Sequence, residues 1–175
     1  TSGTLRWTGL DFEGYDGFNW RSLTSGGGLG IPFVSKTKTV DETVTTSTAF
    51  QDDDELFFAI GANETWNFRF VVQGQSPAAA DFKYTITAPS GATCTFGVGD
   101  FEGAMSVANL GCGVTSGLIP GNGAAHDMYE ITGSVSNGST SGTVRLQWAQ
   151  QVASGSSFVR AGSSLEASRS IGASS

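Results

Sequence analysis

Thr65-Trp66-Asn67-Phe68-Arg69-Phe70-Val71-Val72 decides the fold. Trp66, Phe68, Phe70 and Val72 fall on one face of an extended chain, and Asn67 and Arg69 on the other. That period of two marks a strand with one buried side. The pattern recurs outward from there. Asp81–Thr87 turns Phe82, Tyr84 and Ile86 inward, and Ser141–Ala149 turns Val144, Leu146 and Trp148 the same way. Further strands are expected over Lys38–Thr46, Glu55–Ile60, Ala92–Val98, Met128–Val135, Ser157–Ala161 and Ser163–Ala167. Gly61-Ala62-Asn63, Pro89-Ser90-Gly91 and Asn137-Gly138 are turn signals between them. Gly99–Ala125 reads as long loops with one weak strand. No amphipathic helix of useful length appears. About eight strands at this spacing predict an all-β chain whose main body is an antiparallel β-sandwich, jelly-roll-like.

Composition agrees. The chain has 175 residues, 38% of them hydrophobic, 14% charged, with 25 glycines. Such a chain suits one compact domain and a small appendage, with many tight turns. The net charge is −7. The basic residues are scattered, so nucleic acid is not an expected partner, since phosphate binding needs clustered Lys and Arg. No run approaches the ~18 apolar residues of a membrane span, and no membrane partner is expected. No charged region followed by an apolar stretch marks a secretory leader at the N-terminus.

The N-terminal region reads differently. Gly3-Thr4-Leu5-Arg6-Trp7 is followed by Phe12-Glu13-Gly14-Tyr15-Asp16-Gly17-Phe18-Asn19-Trp20-Arg21-Ser22-Leu23. Residues 1–24 are expected to form a small β-hairpin unit, with a Gly-rich linker over 25–36, the sandwich over 37–169 and a tail over 170–175. A segment so short cannot bury Trp7, Phe12, Tyr15, Phe18 and Trp20 against itself. Exposed aromatics at that density mark an interface, and these five are the candidate oligomerisation or anchoring residues.

This N-terminal run resembles a motif of tailed-bacteriophage virion proteins, chiefly tail fibres and related appendages. Gly3, Leu5, Arg6 and Trp7 match its first half, and Phe12, Glu13, Gly14, Tyr15, Gly17, Trp20 and Leu23 its second. The resemblance implies a unit that packs in homotrimers and attaches or joins fibre segments. Residues 37–169 resemble a β-domain of phage structural proteins. The match runs through Gln51-Asp52-Asp53-Asp54-Glu55-Leu56, Gly61-Ala62-Asn63-Glu64 with Trp66, Asp81 and Lys83 with Pro89-Ser90-Gly91-Ala92, Gly142-Thr143 with Leu146-Gln147-Trp148-Ala149-Gln150, and Ala161-Gly162-Ser163 with Leu165. It implies a structural role in a virion, and a chain of 175 residues, too short for a full receptor-binding fibre, fits capsid decoration, a head fibre or a small tail appendage. The implied partners are other copies of the chain and other virion proteins of capsid or tail.

Chemistry is sparse. His126 is the single histidine and stands beside Asp127, but no serine has a nucleophile-elbow context. The expectation is therefore a protein that is not an enzyme and has no cofactor. Cys94 and Cys112 match no zinc pattern. They could form a disulfide or remain free buried thiols. Asp52-Asp53-Asp54-Glu55 could be considered for calcium, but neighbouring side chains on a strand point apart. A solvated turn ahead of Leu56-Phe57-Phe58 is the preferred reading. Asn63 and Asn137 fit the glycosylation sequon and read as turns. Trp66 and Trp148 read as core. The alternative is a carbohydrate platform, which would make the chain a module attaching a particle to host glycans. A bacterial surface adhesin domain is a third reading.

Overall fold

In a computed structural model describing residues 3–15, 17–23, 32–101, 106–121, 123 and 126–170, every helix or strand among them is a strand. The chain divides into two units, at Phe33/Val34. The first contains β1 (Leu5–Trp7), β2 (Phe12–Tyr15) and β3 (Trp20–Ser22), an antiparallel sheet in the order β1-β2-β3. The expected hairpin is thus a three-stranded meander, because the turn after Tyr15 returns Trp20 opposite Tyr15. Asp16 and residues 24–31 lie outside the described residues, and with them most of the expected linker. The end of that linker is not a linker. Residues 33–36 belong to β4 (Phe33–Thr37), whose β-branched and alternating residues pair with the last strand. Of the expected tail, residues 171–175 also lie outside the description.

The second unit continues with β5 (Glu42–Thr45), β6 (Gln51–Ile60), β7 (Thr65–Gln75), β8 (Phe82–Thr87), β9 (Thr93–Asp100) and β10 (Ser106–Leu110). It ends with β11 (Asp127–Ser136), β12 (Gly142–Gln150), β13 (Ser156–Val159) and β14 (Ser164–Arg169). Two antiparallel sheets result. The larger runs β10-β9-β11-β7-β13-β5, with β14 also on β7 and β4 on β14; the smaller runs β6-β12-β8.

The register explains the branching. Val159 pairs with Gly74 and Ser164 with Val71, so β13 and β14 follow one another along the same edge of β7. Four residues loop out between them, and Gly162 takes φ +92° there, a conformation glycine accepts without steric cost. β4 and β5 line up in the same way outside β14 and β13. Opposite them, the irregular segment after β10 follows β8. Gly113 N–H donates to Ile86 O, Ser116 N–H to Tyr84 O and Ile119 N–H to Phe82 O, each at 2.8 Å. The larger sheet therefore reads first, last, third and third from last in chain order from its β4/β5 edge, with the β9–β10 hairpin added beyond β11. The smaller sheet carries β6, β12, β8 and the 113–119 segment. That is jelly-roll connectivity.

The core lies between the sheets. Trp66, Phe68, Phe70 and Val72 from β7 meet Leu56, Phe58 and Ile60 from β6, Phe82, Tyr84 and Ile86 from β8, and Val144, Leu146 and Trp148 from β12. All are buried, as the period-two reading requires.

Candidate functional site

The N-terminal sheet has two unlike faces. Leu5 pairs with Gly14 and Trp7 with Phe12, which puts their side chains on one face. Gly14 makes that face shallow. A Cβ there would lie 3.4 Å from Leu23 Cδ2 and 3.6 Å from Leu5 Cδ2, so the two leucines close over the glycine. Trp7 and Phe12 pack ring against ring with centroids 4.8 Å apart, a cross-strand aromatic pair. Even so, Leu5 remains 66%, Trp7 57% and Phe12 51% exposed.

The other face is held by its own contacts. Tyr15 and Trp20 are opposite each other, with ring centroids 5.2 Å apart. The Arg6 guanidinium stacks 4.2 Å from the Trp20 ring centre and donates from Nε to Glu13 Oε2 at 2.7 Å. Cation–π stacking and an ion pair thus cover the half-buried Trp20. Phe18 stands in the second turn, 89% exposed, and Leu10 in the first, 94% exposed. The five aromatics singled out in the sequence are therefore divided. Trp7 and Phe12 share an apolar face, Tyr15 and Trp20 share a polar-clamped one, and Phe18 projects from a turn. Leu5 and Leu23 extend the apolar face, and Arg21, opposite Gly14, stands on the same side. The alternation Leu5/Trp7 against Phe12/Gly14 carries that signal in the sequence.

The remaining candidates fall elsewhere. Trp66 and Trp148 are core, which removes both from any sugar platform. Asn63 takes φ 57° in the turn after β6. Asn137 is buried, donating from Nδ2 to Gly61 O and Thr140 O at 2.8 Å. Cys94 and Cys112 form a disulfide that ties β9 to the loop beyond β10. His126 is exposed just ahead of β11. Among the described residues no group of three or more His, Cys, Asp or Glu could hold a metal ion.

The acidic run departs from expectation. It is not a solvated turn but the first half of β6, and Asp53 is fully buried. Opposite Leu146 the strand bulges, since Arg145 pairs with Phe57 while Gln147 pairs with Asp52. The bulge turns Asp53 inward and frees two backbone N–H groups. Glu55 N–H at 3.0 Å and Leu56 N–H at 2.8 Å both donate to Asp53 Oδ1. Lys38, at the break between β4 and β5, is equally buried and reaches Asp53 Oδ1 at 3.1 Å and Glu42 Oε2 at 2.8 Å. The expected strand over Lys38–Thr46 is interrupted here, and Lys38 N–H donates to Ser163 O instead. Burial alone pulls Lys38 down. The hydrogen bond to Glu42 and the charge of Asp53 outweigh it and hold the ammonium above lysine's ordinary value. Burial pushes the Glu42 carboxyl up, against the hydrogen bond from Lys38.

No family model and no curated protein matches the sequence. Among solved structures, the chain is similar to the Gt strain of infectious bursal disease virus at 11% identity and a TM-score of 0.23, over 93% of this chain and 48% of that one. It is similar to the VP2 subviral particle of the same virus at 10% identity and a TM-score of 0.23, over 89% and 44%. The chain thus spans less than half the length of either. Similarity of this size carries no functional argument.

Proposed function

We propose that this chain is a non-enzymatic structural component of a tailed-phage particle, as capsid decoration, head fibre or small tail appendage. In this reading the N-terminal sheet associates with other copies, as a trimer, or with another virion protein, and the jelly-roll unit is what the assembly presents. The observation that carries it is the apolar face of Leu5, Trp7 and Phe12, each left more than half exposed. Full burial of each such side chain contributes roughly 1.5–3 kcal/mol, so a partner that covers this face has a clear driving force. Copies repeated on a particle multiply that affinity. The phage-type motif falls on these same strands, and jelly rolls recur in capsid proteins, although a fold alone fixes no function.

Sedimentation of the full chain and of a chain lacking residues 1–24 tests the reading. The full chain should run as a trimer and the truncated one as a folded monomer. A truncated chain that stays trimeric would overturn the role given to the N-terminal sheet, and a monomeric full chain would overturn the trimer.

A further inference from the structure

The mechanism of association makes no use of the buried Lys38, Glu42 and Asp53 cluster, yet its geometry is that of a reaction site. We infer that Lys38 Nζ and Asp53 Cγ join in an intramolecular amide formed by the folded chain itself, with Glu42 as the proton carrier.

Each group has a role. Lys38 is the nucleophile. Its side chain is fully buried, with the Nζ atom 3.1 Å from Asp53 Oδ1. Asp53 is the acceptor, and its two oxygens differ. Oδ1 receives Glu55 N–H and Leu56 N–H in addition to Lys38. That pair of backbone donors stabilises negative charge as it develops on Oδ1 during attack at Cγ. Oδ2 is buried and accepts no hydrogen bond from the described residues, the position expected of an oxygen that leaves. Glu42 Oε2 touches Nζ at 2.8 Å and is steadied by Asp54 N–H at 3.2 Å. Gln51 Nε2 holds the other oxygen of Glu42. Glu55 is the remaining charged group on the cluster, 3.8 Å from Nζ.

The step balances. The ammonium gives one proton through Glu42 to Asp53 Oδ2, leaving a neutral amine and a carboxylic acid. The amine lone pair attacks Cγ and forms the C–N bond, with charge moving onto Oδ1. A second proton passes from Nζ through Glu42 to Oδ2, the Cγ–Oδ2 bond breaks and water leaves. Oδ1 becomes the amide oxygen, and Glu42 ends as it began. No oxidant or other reactant is needed. Burial holds the reacting groups together and keeps bulk water out, and both favour condensation. The raised Glu42 carboxyl suits a group that must hold a proton in passing. The bond would stitch the end of β4, at one edge of the larger sheet, to β6, at the edge of the smaller.

The test is the mass of the full folded chain after incubation, then reduction and denaturation. The expected mass is one water below that of the reduced sequence. Proteolysis should yield one branched peptide joining the Lys38 and Asp53 segments. Lys38→Met should keep the full mass, and Glu42→Gln should slow the water loss at least tenfold. A full mass after prolonged incubation of the folded chain would overturn the inference. So would water loss with Lys38 and Asp53 in separate peptides, which would place the dehydration at Asp53 and its own backbone. Glu42→Gln reacting at the parent rate would remove Glu42 from the step.

Discussion

Glu64 holds Trp66 by the edge of its indole. Nε1–H donates to Glu64 Oε2 at 2.9 Å, and the same oxygen accepts Gly61 N–H at 2.8 Å. Arg169 Nη1 donates to the other oxygen at 2.9 Å. One carboxylate thus fastens the β6–β7 turn, a core tryptophan and the end of β14. Glu64→Ala should cost about 1–3 kcal/mol, since it leaves the indole N–H and the turn amide without their acceptor. The hydrogen bonds from Trp66 and Gly61, with Arg169, hold the Glu64 carboxyl below its ordinary value of 4.5. A lowered folded value means the unfolded chain takes up the proton first. This contribution is therefore complete above pH 4.5 and is lost as pH falls through the folded value. Urea midpoints against pH should show a smaller acid-side loss in Glu64→Gln than in the parent.

Trp148 is the largest fully buried side chain, with its ring 6.0 Å from that of Phe82. Trp148→Ala should cost about 3–5 kcal/mol, because the core cannot close over so large a cavity. Its indole Nε1 is buried with no hydrogen-bond partner among the described residues. Trp148→Phe removes that unsatisfied donor along with part of the ring, so it should cost clearly less than the alanine variant. Equal denaturation midpoints for both variants would contradict this account of the site.

The alternating faces of Thr65–Val72, Asp81–Thr87 and Ser141–Ala149 were legible because strand burial depends on local period, which a single segment carries. Lys38 and Asp53 were not. The period of two separates Asp52 from Asp53, and Asp52 does stay exposed beside Arg145 and Gln147. Which of the two turns inward depends on the bulge opposite Leu146 and on a lysine at the break between β4 and β5. Neither leaves a local pattern. The 113–119 segment escaped for the same reason. It lies along β8 through backbone bonds at Gly113, Ser116 and Ile119, those at Ile119 forming an isolated bridge with Phe82, and few alternating apolar residues mark it. The division of the N-terminal aromatics needed a register that sequence spacing left open.

The Cys94–Cys112 bridge should contribute roughly 3 kcal/mol for a loop of this length. Its Cα atoms are 5.4 Å apart, within the ordinary span of a disulfide. Reduction of the parent, or Cys94→Ser with Cys112→Ser, should lower the denaturation midpoint by a similar amount. Reductant should then have no further effect on the double variant. Equal parent midpoints with and without reductant would mean the pair does not form in solution.

The two faces of the N-terminal sheet predict different outcomes for substitutions only a few residues apart. Trp7→Ser with Phe12→Ser strips the open apolar face but leaves Tyr15, Trp20 and the Arg6–Glu13 pair in place. The sheet should persist, while association of the full chain weakens at least tenfold. The melting of the jelly-roll unit should remain unchanged. Arg6→Ala acts on the other face. It removes the cation over Trp20 and an ion pair that is partly exposed, which together stabilise the sheet by about 1 kcal/mol. Association should fall only as far as the sheet itself is loosened. Amide hydrogen exchange over residues 5–22 reports the sheet and sedimentation reports the assembly, so the two effects can be read separately. If Arg6→Ala weakened association more than the Trp7 and Phe12 double variant, the docking face would be that of Trp20 rather than that of Trp7.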